Sequence, residues 1–175
     1  MLGLSDKQLA VAFGIAATQA AGLKANFGTM CKPLHAGTAS EHGLRAARLA
    51  AKGFTARSDS LECDQGFAAS QSDHLNVEAA LGEPRGGWHL RNNLFKYHAA
   101  CYLTHAPIEC AKEIRLKGNF PPERVKRILL RIDSGADKVC NIENPTSGLE
   151  AKFSLRQTVA MALTGVDTAN LDSYN

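Results

Sequence analysis

Alanine sets the packing options of the first part of the chain. Ala10, Ala12, Ala16, Ala17, Ala20 and Ala21 recur through a segment that offers few bulky side chains. A helix surfaced with methyl groups lets a neighbouring backbone come close, as a helix buried among other helices requires. Local signals mark where the helices begin and end. Ser5 and Gln8 have capping-box spacing, and Thr38 and Glu41 repeat it as T-x-x-E. Leu44, Ala47, Leu49 and Ala51 continue the second segment, and Gly53 closes it. These signals predict helices near 5–22 and 38–52 that pack on each other.

The character of the chain changes near Ala56. Asp59, Ser60, Asp64, Gln65, Gly66, Ser70, Gln71 and Ser72 mark loops and short helices, and Gly82-Glu83-Pro84-Arg85-Gly86-Gly87 reads as a connector. Beyond it a short strand is expected at Trp88–Leu90, then a helix from Thr104 to about Leu116 that ends at Gly118. Pro121-Pro122 opens a short helical turn. Val125–Ile132, with β-branched residues and charges at 126, 127 and 131, reads as a strand. Asp133-Ser134-Gly135 would turn it toward a partner strand at Lys138–Ile142, and a helix over Lys152–Leu163 would end at Gly165. The expected fold is mainly α with an α+β lid. Residues 1–57 form a segment of a helical domain, 58–151 a lid-like region with an α+β core at about 85–150, and 152–175 a helix returning to the helical domain.

The densest chemistry lies in Phe27-Gly28-Thr29-Met30-Cys31-Lys32-Pro33-Leu34-His35-Ala36-Gly37. Lys32 and His35 stand three residues apart in what reads as a loop feeding the second helix. A helix start and a lysine both favour an anion such as a carboxylate or phosphate. Chemistry alone leaves a second reading open, a solvated lysine in a turn beside a locally packed histidine.

Composition narrows the function classes. Apolar residues make up 45% of the chain and charged residues 21%, as in an ordinary globular protein. A net charge of +3 without a basic run gives no reason to expect nucleic acid. Leu9–Leu23 is too short and too weakly apolar to span a bilayer, and no basic region with a cleavage site precedes it. The five cysteines (Cys31, Cys63, Cys101, Cys110 and Cys140) are scattered singly, which speaks against a disulfide framework and for a cytoplasmic location. Cys101, His105 and His98 are the only close candidates for metal ligation, and no second pair completes a site.

Three segments in order carry a family resemblance. Phe27–Gly37, followed by Ala51-Lys52-Gly53-Phe54-Thr55, resembles the MmgE/PrpD pattern F-G-T-x-x-K-P-L-H-x-G and A-x-G-F-T. Lys96–His105 resembles the family's K-x-x-x-x-C-x-x-T-H run, and Glu150–Leu155 its E-A-K-F-S-L signature. The family includes 2-methylcitrate dehydratase, cis-aconitate decarboxylase and iminodisuccinate epimerase, which share proton chemistry beside a carboxylate. The resemblance implies no metal and no organic cofactor. Members of the family are much longer, and this chain corresponds to their central part.

By this resemblance Lys32 and His105 are the candidate catalytic residues, and Lys32, His35 and Lys96 the candidate substrate-binding residues. The implied ligand is a small di- or tricarboxylic acid, with neither nucleic acid nor membrane as partner. A homodimer, or association with the missing helical segments, is expected. Two positions depart from the family: Gln157 where tyrosine is common, and His98 where proline is frequent. An amide hydrogen-bonds but does not supply a phenol's proton. The family's aspartate and histidine from its N-terminal helical part have no counterpart in this sequence, so the chain alone is expected to be inactive. A non-catalytic truncated product or an interaction module stands as the alternative.

Overall fold

A computed structural model describes residues 2–118 and 121–175, and it is mainly helical. The chain divides into two compact units, one of Met1–Gly22 and Pro33–Asn93, the other of Leu23–Lys32 and Leu94–Asn175. No helix among the described residues is long and apolar enough to cross a membrane.

In the first unit, helix α1 (Asp6–Ala17) starts as its sequence predicts. The Ser5 hydroxyl accepts from Gln8 N at 3.3 Å, and Gln8 Oε1 accepts from Ser5 N at 3.0 Å. Each thereby satisfies a donor that a helix start leaves open. The helix stops earlier than the expected residue 22, because Gln19 Nε2 donates back to Ile15 O and Gly22 takes φ +130°. Helix α2 (Cys31–Ala51) begins well before the expected residue 38. Thr29 supplies the start: its hydroxyl accepts from Cys31 N at 3.2 Å. Pro33 fits in the first turn, where its missing N–H is not needed. Thr38 is therefore interior, its hydroxyl donating to Leu34 O at 2.8 Å, and the T-x-x-E spacing is no cap. The far end closes as expected on Gly53, at φ +83°, with Phe54 N donating to Leu49 O and Gly53 N to Ala50 O.

Small residues then do what the alanine pattern predicts. Ala12 and Ile15 of α1 are buried with Ala46 and Ala50 of α2, and Leu4, Val11 and Leu49 pack around them. Gly14 marks a close approach of α1 to the segment after α2, since a Cβ there would lie 2.8 Å from Arg57 O and 2.8 Å from Ser60 Oγ. Two short helices follow, α3 (Phe67–Gln71) and α4 (Val77–Leu81), the latter capped by Asn76. The strand expected at Trp88–Leu90 is instead the entry to a 3-10 turn, His89–Asn92. Three residues with no neighbouring strand have no ladder to join, and Trp88 and Leu90 stay exposed.

In the second unit, a 3-10 turn at Tyr102–Thr104 leads into helix α5 (His105–Gly118). The expected turn at Pro121-Pro122 is present as a 3-10 helix, Pro122–Arg124. The predicted strands do not form a sheet. Residues 125–132 carry no regular secondary structure, and the only β-bridge among the described residues joins Asn141 to Ser154. Lys138 belongs to helix α6 (Ser134–Val139), because Asp133 accepts from Gly135 N at 2.7 Å and caps a helix instead of turning a hairpin. Within 125–132, Leu130 serves helices instead, packing on the core that α5 builds with Val159, Ala162 and Leu163.

Helix α7 (Gly148–Ala151) is capped by Ser147, and helix α8 (Leu155–Leu163) by Ser154. Helix α8 ends at Gly165, at φ +85°, with Val166 N bonded to Met161 O. Helices α5 and α8 bury Ile108 and Ala111 against Val159, Ala162 and Leu163. A second cluster joins Ala100, Ala151, Met161 and Tyr174.

Gly14 and Gly43 separate close packing from helix propensity. Gly43 lies in α2, and a Cβ added there would meet no atom within 4 Å, so Gly43→Ala should stabilise the protein by roughly 0.5–1 kcal/mol. Gly14→Ala gains the same propensity but should still lose about 1–3 kcal/mol net through overpacking against Arg57 O. Urea unfolding of both variants checks this, and equal stabilisation by the two would contradict the close approach.

Candidate functional site

Three separate segments of sequence meet in the second unit. Phe27 and Phe153 stack with ring centroids 5.2 Å apart, which brings the first segment to the last. Gly28, buried at φ +87°, makes this approach possible: a Cβ there would lie 2.7 Å from Ile142 Cδ1 and 3.3 Å from Glu150 Cγ. The middle segment is tied to the same place by its backbone, Cys101 N donating to Lys152 O at 2.9 Å. Leu155 N donates to Cys140 O at 2.9 Å, and Ile142 N to Phe153 O at 3.3 Å. Residues 152–155 are thus bonded on one side to Cys101 and on the other to residues 140–142.

Two lysines flank this junction. Lys96 Nζ donates to Ala100 O at 3.0 Å, a bond that folds the side chain back over its own loop. Lys32 Nζ stands 4.9 Å from the centre of the Phe27 ring, a cation–π contact that orients it. Both ammonium groups act on Cys101. A hydrogen bond from the Cys140 thiol pulls the Cys101 thiol down to about 6, against the opposing effect of partial burial. The Leu103 backbone and the charges of Lys96 and Lys32 add to that pull. Cys140 is fully buried, and its own thiol is pushed up by the same hydrogen bond, by burial and by the negative charge on Cys101.

A histidine pair lies within electrostatic reach of Lys96. His105, the first residue of α5, is buried, and its Nε2 has no protein partner. Burial lowers its pKa, and His98 and Lys96 lower it further, so the imidazole is neutral at pH 7. The His98 ring meets it edge-on at 4.9 Å, and Tyr102 lies 5.1 Å away on another side. His98 is itself held from two directions. Its Nδ1 is 2.8 Å from the Thr168 hydroxyl, and its Nε2 is 2.9 Å from Glu109 Oε1, a close contact that does not meet hydrogen-bond geometry. Lys112 holds the Glu109 carboxyl below its ordinary range, with help from His98.

The structure therefore gathers Lys32, Lys96 and His105 within the second unit, the two lysines near Cys101 and His105 near Lys96. His35 belongs to the first unit, where its ring lies 3.3 Å from the position a Cβ on Gly22 would take. Of the two departures, Gln157 is exposed in the first turn of α8, while His98 is buried and ties its loop to Thr168. Cys140, Thr168 and Glu109 are parts of the site that no sequence spacing reveals. Among the described residues no three His, Cys, Asp or Glu side chains come together in a metal-binding arrangement.

A lowered pKa means that the thiolate of Cys101 dominates above about pH 6. Iodoacetamide labelling of Cys101 in the folded chain should accordingly have its midpoint near pH 6 and stay level through neutrality. In denaturing urea the midpoint should return to about 8.5. Lys96→Ala should move the folded midpoint upward. Peptide-resolved labelling rates check this, and a folded midpoint as high as the unfolded one would refute the electrostatic arrangement.

Comparison with known proteins bears on the same segments. Residues 1–80 match the MmgE/PrpD N-terminal domain, and residues 98–174 match the MmgE/PrpD C-terminal domain. The cis-aconitate decarboxylase of Homo sapiens is 32% identical over 169 residues, which cover 93% of this chain and 34% of the relative. That of Mus musculus is 30% identical over 175 residues, covering 93% and 34%. That of Aspergillus terreus is 28% identical over 184 residues, covering 93% and 36%. This chain thus spans about a third of the length of these curated relatives. With both domain types matched in order, and parts of all three motif segments packed together in its second unit, the chain belongs to the MmgE/PrpD family.

Proposed function

We propose that this chain supplies the carboxylate-anchoring part of a lyase or isomerase that moves a proton beside a carboxylate of a small di- or tricarboxylic acid. The observation that carries this reading is that Lys32 and Lys96, far apart in sequence, both lie within electrostatic reach of Cys101. Two ammonium groups at one place suit a ligand with more than one carboxylate. When carbon dioxide or a proton leaves a carbon beside a carboxylate, the electron pair left behind spreads onto that carboxylate. A fixed cation stabilises this charge more in the transition state than in the ground state, and so it speeds the reaction rather than only tightening binding.

His105 supplies the proton chemistry in this reading. A neutral imidazole with a free buried nitrogen can take a proton at Nε2 and return it. Lys96 helps keep it neutral, so a carboxylate that screens Lys96 also raises the basicity of His105. Among the family's reactions, decarboxylation of cis-aconitate is the one carried by the named relatives. Dehydration and epimerisation rest on the same charge stabilisation. Full turnover is assigned to a polypeptide of the relatives' length, and acid binding to this chain.

Calorimetry with cis-aconitate, with a saturated tricarboxylate and with acetate tests the binding step. The tricarboxylates should bind and acetate should not. Lys32→Ala and Lys96→Ala should each weaken binding by about 1.5–3 kcal/mol, the worth of a charge-assisted hydrogen bond. In a polypeptide of the relatives' length, Lys32→Ala should cost roughly 3 kcal/mol in kcat/KM, comparable to losing one oxyanion donor. Binding indifferent to both substitutions, or acetate binding as well as the tricarboxylates, would overturn the reading.

A further inference from the structure

We infer that Cys101 and Cys140 form a redox-active thiol pair, in which Cys101 reacts with a peroxide and Cys140 resolves the product into a reversible disulfide. The backbone carries the geometric argument. Cys101 N is bonded to Lys152 O at 2.9 Å, and Cys140 O accepts from Leu155 N at 2.9 Å. The antiparallel bridge between Asn141 and Ser154 continues the second attachment. Both cysteines are therefore fixed to the same short segment, residues 152–155, and their thiols lie near enough for each to shift the proton affinity of the other. The two differ in access as an attacking and a resolving thiol should: Cys101 is partly exposed, and Cys140 is fully buried.

The chemistry closes without a further reagent. The Cys101 thiolate attacks one peroxide oxygen, the O–O bond breaks, and the departing hydroxide takes a proton to become water. Cys101 is left as a sulfenic acid. Cys140 then attacks the Cys101 sulfur, the S–O bond breaks, and the leaving hydroxide combines with the proton from Cys140. Two thiols lose two electrons and two protons in all, and the peroxide is reduced to two waters. The first step also prepares the second. The Cys101 charge and the hydrogen bond to it hold the Cys140 thiol protonated, and both vanish when Cys101 becomes a neutral sulfenic acid. Lys96 remains and favours the Cys140 thiolate. None of this requires the carboxylate reading, because it concerns the thiols alone.

One equivalent of hydrogen peroxide added to the reduced full chain, followed by N-ethylmaleimide and peptide mapping, tests the inference. The expected product links the Cys101 and Cys140 peptides, has lost the mass of two hydrogens, and reverts with dithiothreitol. Two free thiols should disappear per peroxide consumed, a stoichiometry read on the native chain. In Cys140→Ser, Cys101 should accumulate as a sulfenic acid that dimedone traps. Loss of one thiol per peroxide, Cys101 over-oxidised while Cys140 stays free, or cross-links running mainly through the exposed Cys110 would each overturn it.

Discussion

A side chain at Gly28 would strain the backbone and displace its neighbours. The residue holds φ +87°, a backbone region that costs an L-residue energy, and a Cβ would press to within 2.7 Å of Ile142 Cδ1. The absence of one lets Phe27 lie on Phe153, and the stacking brings Lys32 to the segment that also holds Cys101 and Cys140. The candidate site of the second unit hangs on this approach. Its remaining ties are backbone hydrogen bonds from residues 152–155, which fix position without using the side chains that carry chemistry.

Charge balance gives the junction its character. Lys32 and Lys96 bring two positive charges to a place where one thiol sheds its proton readily and its neighbour keeps it. The thiolate offsets part of the lysine charge while no acid is bound. A carboxylate arriving at the lysines would compete with that thiolate, so ligand binding and thiol reactivity are linked through the same two cations. His105 brings no charge of its own to this exchange and feels it through Lys96, which suits a group that passes a proton rather than holds an anion.

Features legible in the sequence are those decided within a few residues. Ser5 and Gln8, Gly53 and Gly165 terminate helices by bonds that reach three to five positions along the chain, and all four act as their spacing suggests. Local spacing also misleads when a different local bond wins. Thr38 turns to Leu34 O instead of capping, and Asp133 caps a helix instead of turning a hairpin. The β-branched residues and spaced charges of 125–132 suggest a strand, yet a strand needs a partner, and Leu130 packs on helices instead. Lys32, Lys96 and His105 can be named from motifs alone. Cys140, Thr168 and Glu109 cannot, because their partners lie far away in sequence and no spacing rule connects them.

Native-state amide exchange on Gly28→Val gives the most direct test of the central claim that Gly28 holds the three segments together. If it does, the N–H groups of Cys101, Ile142 and Leu155, all bonded within this junction, will lose protection together in the variant, while α1 keeps its own. Loss confined to residues 27–32, with Cys101 and Leu155 as protected as before, would contradict the account.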